Sequence, residues 1–260
     1  MRTVAIGDVE FGAGGFPVIA GPCSVESDYL AHARAAASSG ADVLRGSVFK
    51  PRSGPDRFQG IGPEGIPLLA RARDATGLPV IAEPLDAEDV QLLEPHVDGF
   101  LVGARSMHNS RLLQSVGATG RPVVLKRAFA ATYDEWLGAA DYVRSTGNDE
   151  VILCERGIRT FVTETRNTLD ISAVPVLRTR TDLPVIVDPS HASGRREWVL
   201  PLAMAAAGVL ADGLIVECHT RPHESWTDSD QAIEPPELKH LIDATRQLSA
   251  VSRALTLRSD

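Results

Sequence analysis

Two stretches of the chain end an apolar run on side chains that can bind a metal or move a proton. In 182-DLPVIVDPSHASGRREW-198 the residues Leu183 to Val187 lead into Asp188, Pro189, Ser190 and His191, and in 212-DGLIVECH-219 a similar run exposes Glu217, Cys218 and His219. A polar cluster at the end of a buried strand is where an α/β protein places its chemistry. Two successive strands ending in imidazole, thiol and carboxylate point to one shared site. Other strand ends add to it in chain order: Cys23, Arg45 with Lys50 and Arg52, Glu83, Arg105, Lys126 with Arg127, and Glu155 with Arg156. The mixture of Cys, His, Glu and Asp is a borderline-soft set suited to a divalent transition metal. The Arg and Lys residues match carboxylate and phosphate oxygens, bidentately in the case of arginine. The chemistry to expect is that of a small phosphorylated acid beside a metal.

The elements that position these residues repeat. Short apolar segments appear at 16–21, 42–46, 79–84, 98–103, 121–127, 150–157, 183–189 and 212–219, with helical patterns between them and after the last. Alternating units with all-apolar strands imply a parallel sheet buried on both faces. Eight such units in about 250 residues favour a (β/α)8 barrel over an open doubly wound sheet, in which case every strand end listed above converges on one mouth. No GxGxxG follows the first strand, which lowers a dinucleotide-binding alternative. The segment 24-SVES-27 reads as the start of an Ala-rich helix running through Ser39. Residues 3 to 11 read as a short β-like flap.

Composition bounds the rest. With 260 residues, 43% of them hydrophobic, the chain can bury a large core, and no linker divides it, so it reads as one domain over 1–260. The formal charge of −8 is spread along the chain, which leaves no basic stripe for nucleic acid and no polybasic anchor. The apolar runs are too short for a membrane span and the N-terminus lacks a signal-peptide pattern, so a cytoplasmic protein is expected. Cys23, Cys154 and Cys218 lack CxxC spacing, which argues against a disulfide framework; Cys154 and Cys218 read as buried free thiols.

The segments 21-GPCSVES-27, 45-RGSVFKPRSGPDRFQG-60, 103-GARSMHN-109, 125-LKRAFAATYDEW-136, 153-LCERGIRTF-161, 166-RNTLDISAVP-175 and 187-VDPSHASGRR-196 resemble, in this order, the blocks of the short type I 3-deoxy-D-arabino-heptulosonate 7-phosphate (DAHP) synthases. The resemblance covers nearly the whole chain. It implies a barrel that condenses phosphoenolpyruvate with erythrose 4-phosphate at one divalent metal ion, the first step of the shikimate pathway to aromatic compounds. By resemblance the metal ligands are Cys23, His191, Glu217 and an aspartate of 225-SWTDSDQAI-233, either Asp228, which the family's Ser-Asp-Gly favours, or Asp230; Ser229 stands where the family has glycine. Phosphoenolpyruvate falls to Arg45, Ala104, Arg105, Lys126 and Arg156, and the aldehyde phosphate to Lys50, Pro51, Arg52 and Ser53. Lys50, Lys126 and His191 form the implied catalytic set. Manganese, cobalt, iron and zinc all stay open, and a homo-oligomer, dimer or tetramer, is expected.

Bland readings stand beside these. Arg127, Arg159 and Arg166 read as ion-pairing cations at a subunit interface, His219 as a hydrogen-bonded core histidine, and Glu83 as either a site residue or a partner for a lysine. Three other functions also fit. A related condensing enzyme for another aldose phosphate is suggested by 52-RSGPDRFQG-60, which departs from the family's Arg-Thr-Ser-Pro-Tyr-Ser-Phe-Gln-Gly, and by Ser47 in place of a glycine. A Schiff-base aldolase would use Lys126 or Lys50. A noncatalytic barrel would keep the anion site without turnover.

Overall fold

The computed structural model describes residues 1–52 and 54–256. Two short strands, β1 (Val4–Ile6) and β2 (Val9–Phe11), pair antiparallel as a hairpin. Eight more follow: β3 (Val18–Gly21), β4 (Val43–Arg45), β5 (Val80–Ala82), β6 (Gly99–Val102), β7 (Val123–Lys126), β8 (Val151–Glu155), β9 (Val185–Val187) and β10 (Leu214–Glu217). These eight are parallel and closed, each beside its sequence neighbour and β10 beside β3. The outer layer consists of α1 (Tyr29–Ser38), α2 (Ile66–Thr76), α3 (Ala87–Leu93), α4 (Ser110–Ala118), α5 (Tyr133–Arg144), α6 (Ala173–Arg178), α7 (Pro189–Ser193), α8 (Val199–Gly208) and α9 (Pro235–Thr256). The expected (β/α)8 barrel and its N-terminal β element are both present; the seventh unit carries the short α7 ahead of its full helix.

The period of two along each strand divides the core. Val18, Ala20, Leu44, Phe100, Leu125, Leu153 and Val216 face outward and pack under the helices. Ile19, Val43, Ile81, Leu101, Val124, Ile152, Ile186 and Ile215 face inward, where the hairpin residues Val4, Ile6 and Phe11 join them and plug the N-terminal end of the barrel. Cutting Ile81 or Phe11 back to alanine would leave a cavity costing about 2–5 kcal/mol. Two residues further along, the same inward positions hold Arg45, Glu83, Lys126, Asp188 and Glu217. The lower barrel is therefore oil and the upper barrel is charge. Gly21 lets β3 and β4 approach at this level: its φ is +146°, and a Cβ there would stand 2.4 Å from the Arg45 carbonyl oxygen.

Capping fixes where the helices begin. Thr132 and Glu135 form a reciprocal capping box on α5, Asp86 caps α3, and Asn109 caps α4. The buried Trp136 then donates Nε1–H to the Leu125 carbonyl at 3.1 Å, which locks α5 against β7. One expectation is corrected. Helix α1 starts at Tyr29, and the 24–27 segment does not cap it. Ser24 and Glu26 are drawn instead to the 225–227 segment: Ser24 Oγ lies 3.0 Å from Thr227 Oγ1, and Glu26 Oε1 accepts from the Trp226 backbone N–H at 2.9 Å and from Ser225 Oγ at 3.3 Å. No helix among the described residues is long and apolar enough to cross a membrane.

Candidate active site

The C-terminal ends of the barrel strands open into a cleft of about 490 Å³, within the usual range for a small-molecule site. Among the described residues its walls carry eight Lys or Arg side chains and three carboxylates, so an acidic chain has made one strongly cationic basin. Arg105 and Arg156, from the ends of β6 and β8, lie over the ring of Phe129, with guanidinium carbons 5.5 and 4.9 Å from its centroid. The Arg156 guanidinium also donates to the His191 carbonyl at 3.2 Å. Ala104 lines the same cleft, and Gly103 beside it admits Glu83: a Cβ on Gly103 would fall 2.0 Å from Glu83 Oε1. Lys50 sits on the opposite side, its Nζ 2.9 Å from Cys23 Sγ, 3.1 Å from the Cys23 carbonyl and 3.7 Å from Glu83 Oε2. Burial alone would lower the Lys50 pKa, but Cys23 and Glu83 outweigh it and raise it.

At the floor of the cleft Cys23, His191, Glu217 and Asp228 come together, with one donor atom from each within 4.8 Å of the others. His191 Nε2 is 3.8 Å from Cys23 Sγ, 3.0 Å from Glu217 Oε1 and 4.0 Å from Asp228 Oδ2. Donors bound to one divalent transition metal stand about 3.2–3.8 Å apart, so the spacing and the S, N, O, O donor set fit such an ion. Asp188, buried at the end of β9, orients the histidine. Its Oδ1 accepts the His191 backbone N–H at 2.9 Å as the N-cap of α7, and its Oδ2 lies 2.8 Å from His191 Nδ1 and 2.5 Å from Lys126 Nζ. This carboxylate–histidine pairing turns Nε2 toward the other donors. Burial alone would raise the Asp188 pKa, yet His191, Lys126 and Arg45 hold it well below the usual carboxylate range. Burial likewise pulls His191 down, and the charges of Asp188 and Glu217 override it, raising His191 to about 10.

The model of the DAHP synthetase I family matches residues 3–253. The chain belongs to that family. It is 44% identical over 248 residues to the phospho-2-dehydro-3-deoxyheptonate aldolase of Thermotoga maritima, covering 95% of this chain and 73% of the relative. The crystal structure of that DAHP synthase superposes with a TM-score of 0.91 at 43% identity, over 96% of this chain and 73% of the other. A truncated form of the Thermotoga maritima 3-deoxy-D-arabino-heptulosonate 7-phosphate synthase gives a TM-score of 0.88 at 41% identity, over 96% and 92%. A 2-dehydro-3-deoxyphosphooctonate aldolase of Rhodopseudomonas palustris is 32% identical over 276 residues, covering 96% of this chain and 94% of the relative.

Against the motifs of the DAHP synthetase I family, the structure places Cys23, Arg45, Lys50, Pro51, Arg52, Ala104, Arg105, Lys126, Arg156, His191 and Asp228 on the walls of the cleft. Ser53 lies outside the described residues. Asp228, not Asp230, supplies the fourth donor; the Asp228 backbone is left-handed, with φ +53°. Arg45 lies beneath the donors, its Nη1 3.4 Å from Glu217 Oε1 and its Nη2 3.4 Å from Cys23 Sγ. Not every strand-end residue converges. Arg127 and Glu155 project to the other side of their strands, because side chains alternate and each is one residue out of step with Lys126 and Arg156, while His219, two residues past Glu217 and beyond the end of β10, turns to His32 and Glu26. Arg127 pairs with Glu155 at 3.0 Å and Asp170 at 2.7 Å, both within the chain. His219 accepts the Arg221 N–H at Nδ1, stacks on His32 at 3.8 Å and presents Nε2 to Glu26 at 3.5 Å. Arg166 departs from an interface role, since it lines the cleft and ion-pairs with Asp228 at 2.9 Å. Asp56, Arg57, Phe129 and Gln231 complete the site, though sequence reasoning did not assign them to it, and Asp188, read from sequence as part of the strand-end cluster, proves to be the partner of His191. For Asp188 a signal was present, the i to i+3 spacing to His191 that lets an N-cap aspartate reach a helical imidazole.

Proposed function

We propose that the chain catalyses the metal-dependent condensation of phosphoenolpyruvate with erythrose 4-phosphate and water to DAHP and phosphate, opening the shikimate pathway. The observation that carries this reading is a four-donor S, N, O, O group at the floor of a basin walled by eight cations. Cys23, His191, Glu217 and Asp228 would hold one divalent transition metal, which when bound supplies Lewis acidity to the aldehyde carbonyl. Arg105, Lys126 and Arg156 would take the carboxylate and phosphate of phosphoenolpyruvate, with the Ala104 backbone beside them. Arg52, with Lys50 and Pro51, would take the far phosphate of the aldehyde, as would Ser53. The ring of Phe129 preorganises two of these arginines, so less side-chain freedom is lost when the anion arrives.

The reaction needs C3 of phosphoenolpyruvate held near the aldehyde carbon, a proton for the new hydroxyl, and water at C2 before phosphate departs. Lys50 would give that proton. Its Nζ already donates to the Cys23 side of the floor, and it is buried rather than solvated. Lys126, tied to Asp188 at 2.5 Å, has its nitrogen engaged by that carboxylate, which disfavours it as a Schiff-base nucleophile. Glu83, across from Lys50, would orient the water. A cytoplasmic location accords with these substrates.

The test is phosphate release from phosphoenolpyruvate by the metal-loaded enzyme, compared across erythrose 4-phosphate, arabinose 5-phosphate and ribose 5-phosphate. Erythrose 4-phosphate should give the highest kcat/KM. A preference for arabinose 5-phosphate would overturn the assignment in favour of octulosonate chemistry, and borohydride trapping of a substrate on the chain would overturn it in favour of a Schiff-base aldolase.

A further inference from the structure

We infer that Arg166 and Gln231 are positioning residues that make both acidic members of the four-donor group single-oxygen ligands, and thereby select the cation this site retains. The inference rests on the metal-site reading given above. Arg166 comes from the long segment after β8, its backbone held by donation to the Ser193 carbonyl at 3.0 Å. Gly194 makes room for it: a Cβ there would stand 2.5 Å from Arg166 Cβ. Its Nη1 donates to Asp228 Oδ1 at 2.9 Å and to Gln231 Oε1 at 2.9 Å. Gln231 then passes the contact on, donating from Nε2 to Glu217 Oε2 at 2.9 Å. One guanidinium thus fixes one oxygen of Asp228 directly and one oxygen of Glu217 through an amide.

The remaining oxygens are those that face the other donors. Asp228 Oδ2 stands 4.0 Å and Glu217 Oε1 3.0 Å from His191 Nε2. A carboxylate with both oxygens free can chelate and raise the coordination number, which suits large, hard cations; one tied at an oxygen ligates singly and suits a low-coordinate, borderline-soft ion. Gln231 is the right side chain for the link, since an amide offers an acceptor to Arg166 and a donor to Glu217 at once. The hold is also needed mechanically. Asp228 has a left-handed backbone at φ +53°, a conformation uncommon for a non-glycine residue though aspartate tolerates it better than most, and the Arg166 contact helps keep its side chain in place.

The experiment is a competition titration of the full chain, stripped with chelator, for Zn²⁺, Co²⁺ and Mn²⁺ against a chromogenic chelator, with the thiolate-to-cobalt absorption band recorded on the Co²⁺ form. Arg166→Ala and Gln231→Leu should each weaken Zn²⁺ and Co²⁺ binding by about ten- to a hundredfold and weaken Mn²⁺ less, while the cobalt–thiolate band stays because Cys23 still ligates. Arg166→Lys should lie between, since it keeps the charge on a side chain of different reach and geometry. Gln231→Leu, which touches no backbone, serves if Arg166→Ala does not fold. Unchanged affinity in both variants, or an equal loss for all three ions, overturns the inference. A wild-type chain that binds none of them, or a Cys23→Ser variant that binds as wild type, overturns the metal site itself instead.

Discussion

Asp188→Asn isolates the charge at the centre of the site. Asparagine is nearly isosteric and caps a helix as well as aspartate does, so the His191 N–H at 2.9 Å keeps its acceptor and the roughly 1 kcal/mol of α7 capping is retained. What disappears is the carboxylate charge shared by Lys126 Nζ at 2.5 Å and His191 Nδ1 at 2.8 Å. Both partners are buried, and removing one member of a buried ion pair costs about 3–5 kcal/mol, a large share of the roughly 5–15 kcal/mol that holds a domain folded. Urea unfolding in excess chelator at pH 7 reads this loss without a contribution from bound metal. The pH dependence follows from the depressed Asp188 pKa: its stabilisation is fully present above the unfolded value of 3.8 and is lost as pH falls through the lower folded value. The gap between wild type and variant should therefore be constant from pH 7 down to about 4 and close below it. A variant less than about 1 kcal/mol weaker at pH 7, with unchanged metal affinity, would refute the claim that Asp188 charge organises the site.

Other consequences can be checked directly. Because His191 must be neutral to ligate and stands near 10 when it shares its proton with Asp188 and Glu217, apparent metal affinity should rise about tenfold per pH unit between 6 and 8, read by the same chelator competition; a flat profile would contradict it. Chelator should abolish turnover, divalent metal should restore it, and Cys23→Ser should fail to retain the ion; full activity of that variant in chelator would remove Cys23 from the ligand set. Arg156→Lys keeps the charge but loses the planar fork, so KM for phosphoenolpyruvate should rise with metal content unchanged, whereas Arg52→Ala should lower kcat/KM for the aldehyde by roughly ten- to a hundredfold, equivalent to ~1.5–3 kcal/mol, and leave phosphoenolpyruvate affinity by calorimetry intact. Burial pushes the Cys218 thiol up to about 12 and Cys154 higher still, so neither should react with a disulfide reagent at pH 8 until the chain is unfolded.

The sequence by itself determined the barrel. Eight short apolar runs alternating with helical patterns are best satisfied by buried parallel strands with helices outside, and that requirement is local enough to read without coordinates. It also determined which residues can do chemistry, because GPCS, KPR, GAR, LKR, ERG and DPSH place their charges at strand ends. Tertiary structure decided the rest. A strand end says that a side chain is near the mouth, while the pleat says whether it points inside, which is why Lys126 and Arg156 reach the site while Arg127 and Glu155, one residue away, do not. The choice of Asp228 over Asp230, and the partners Arg166 and Gln231, depended on how the 225–231 segment folds back over β10, where Ile233 N–H meets the Glu217 carbonyl at 3.0 Å. The segment 24-SVES-27 carried a helix-start pattern that long-range contacts overrode, since Ser24 and Glu26 gain more by holding the Asp228 segment than by capping α1. Contacts across some 200 residues leave no periodic mark in a sequence, and only closure of the barrel brings their two halves together.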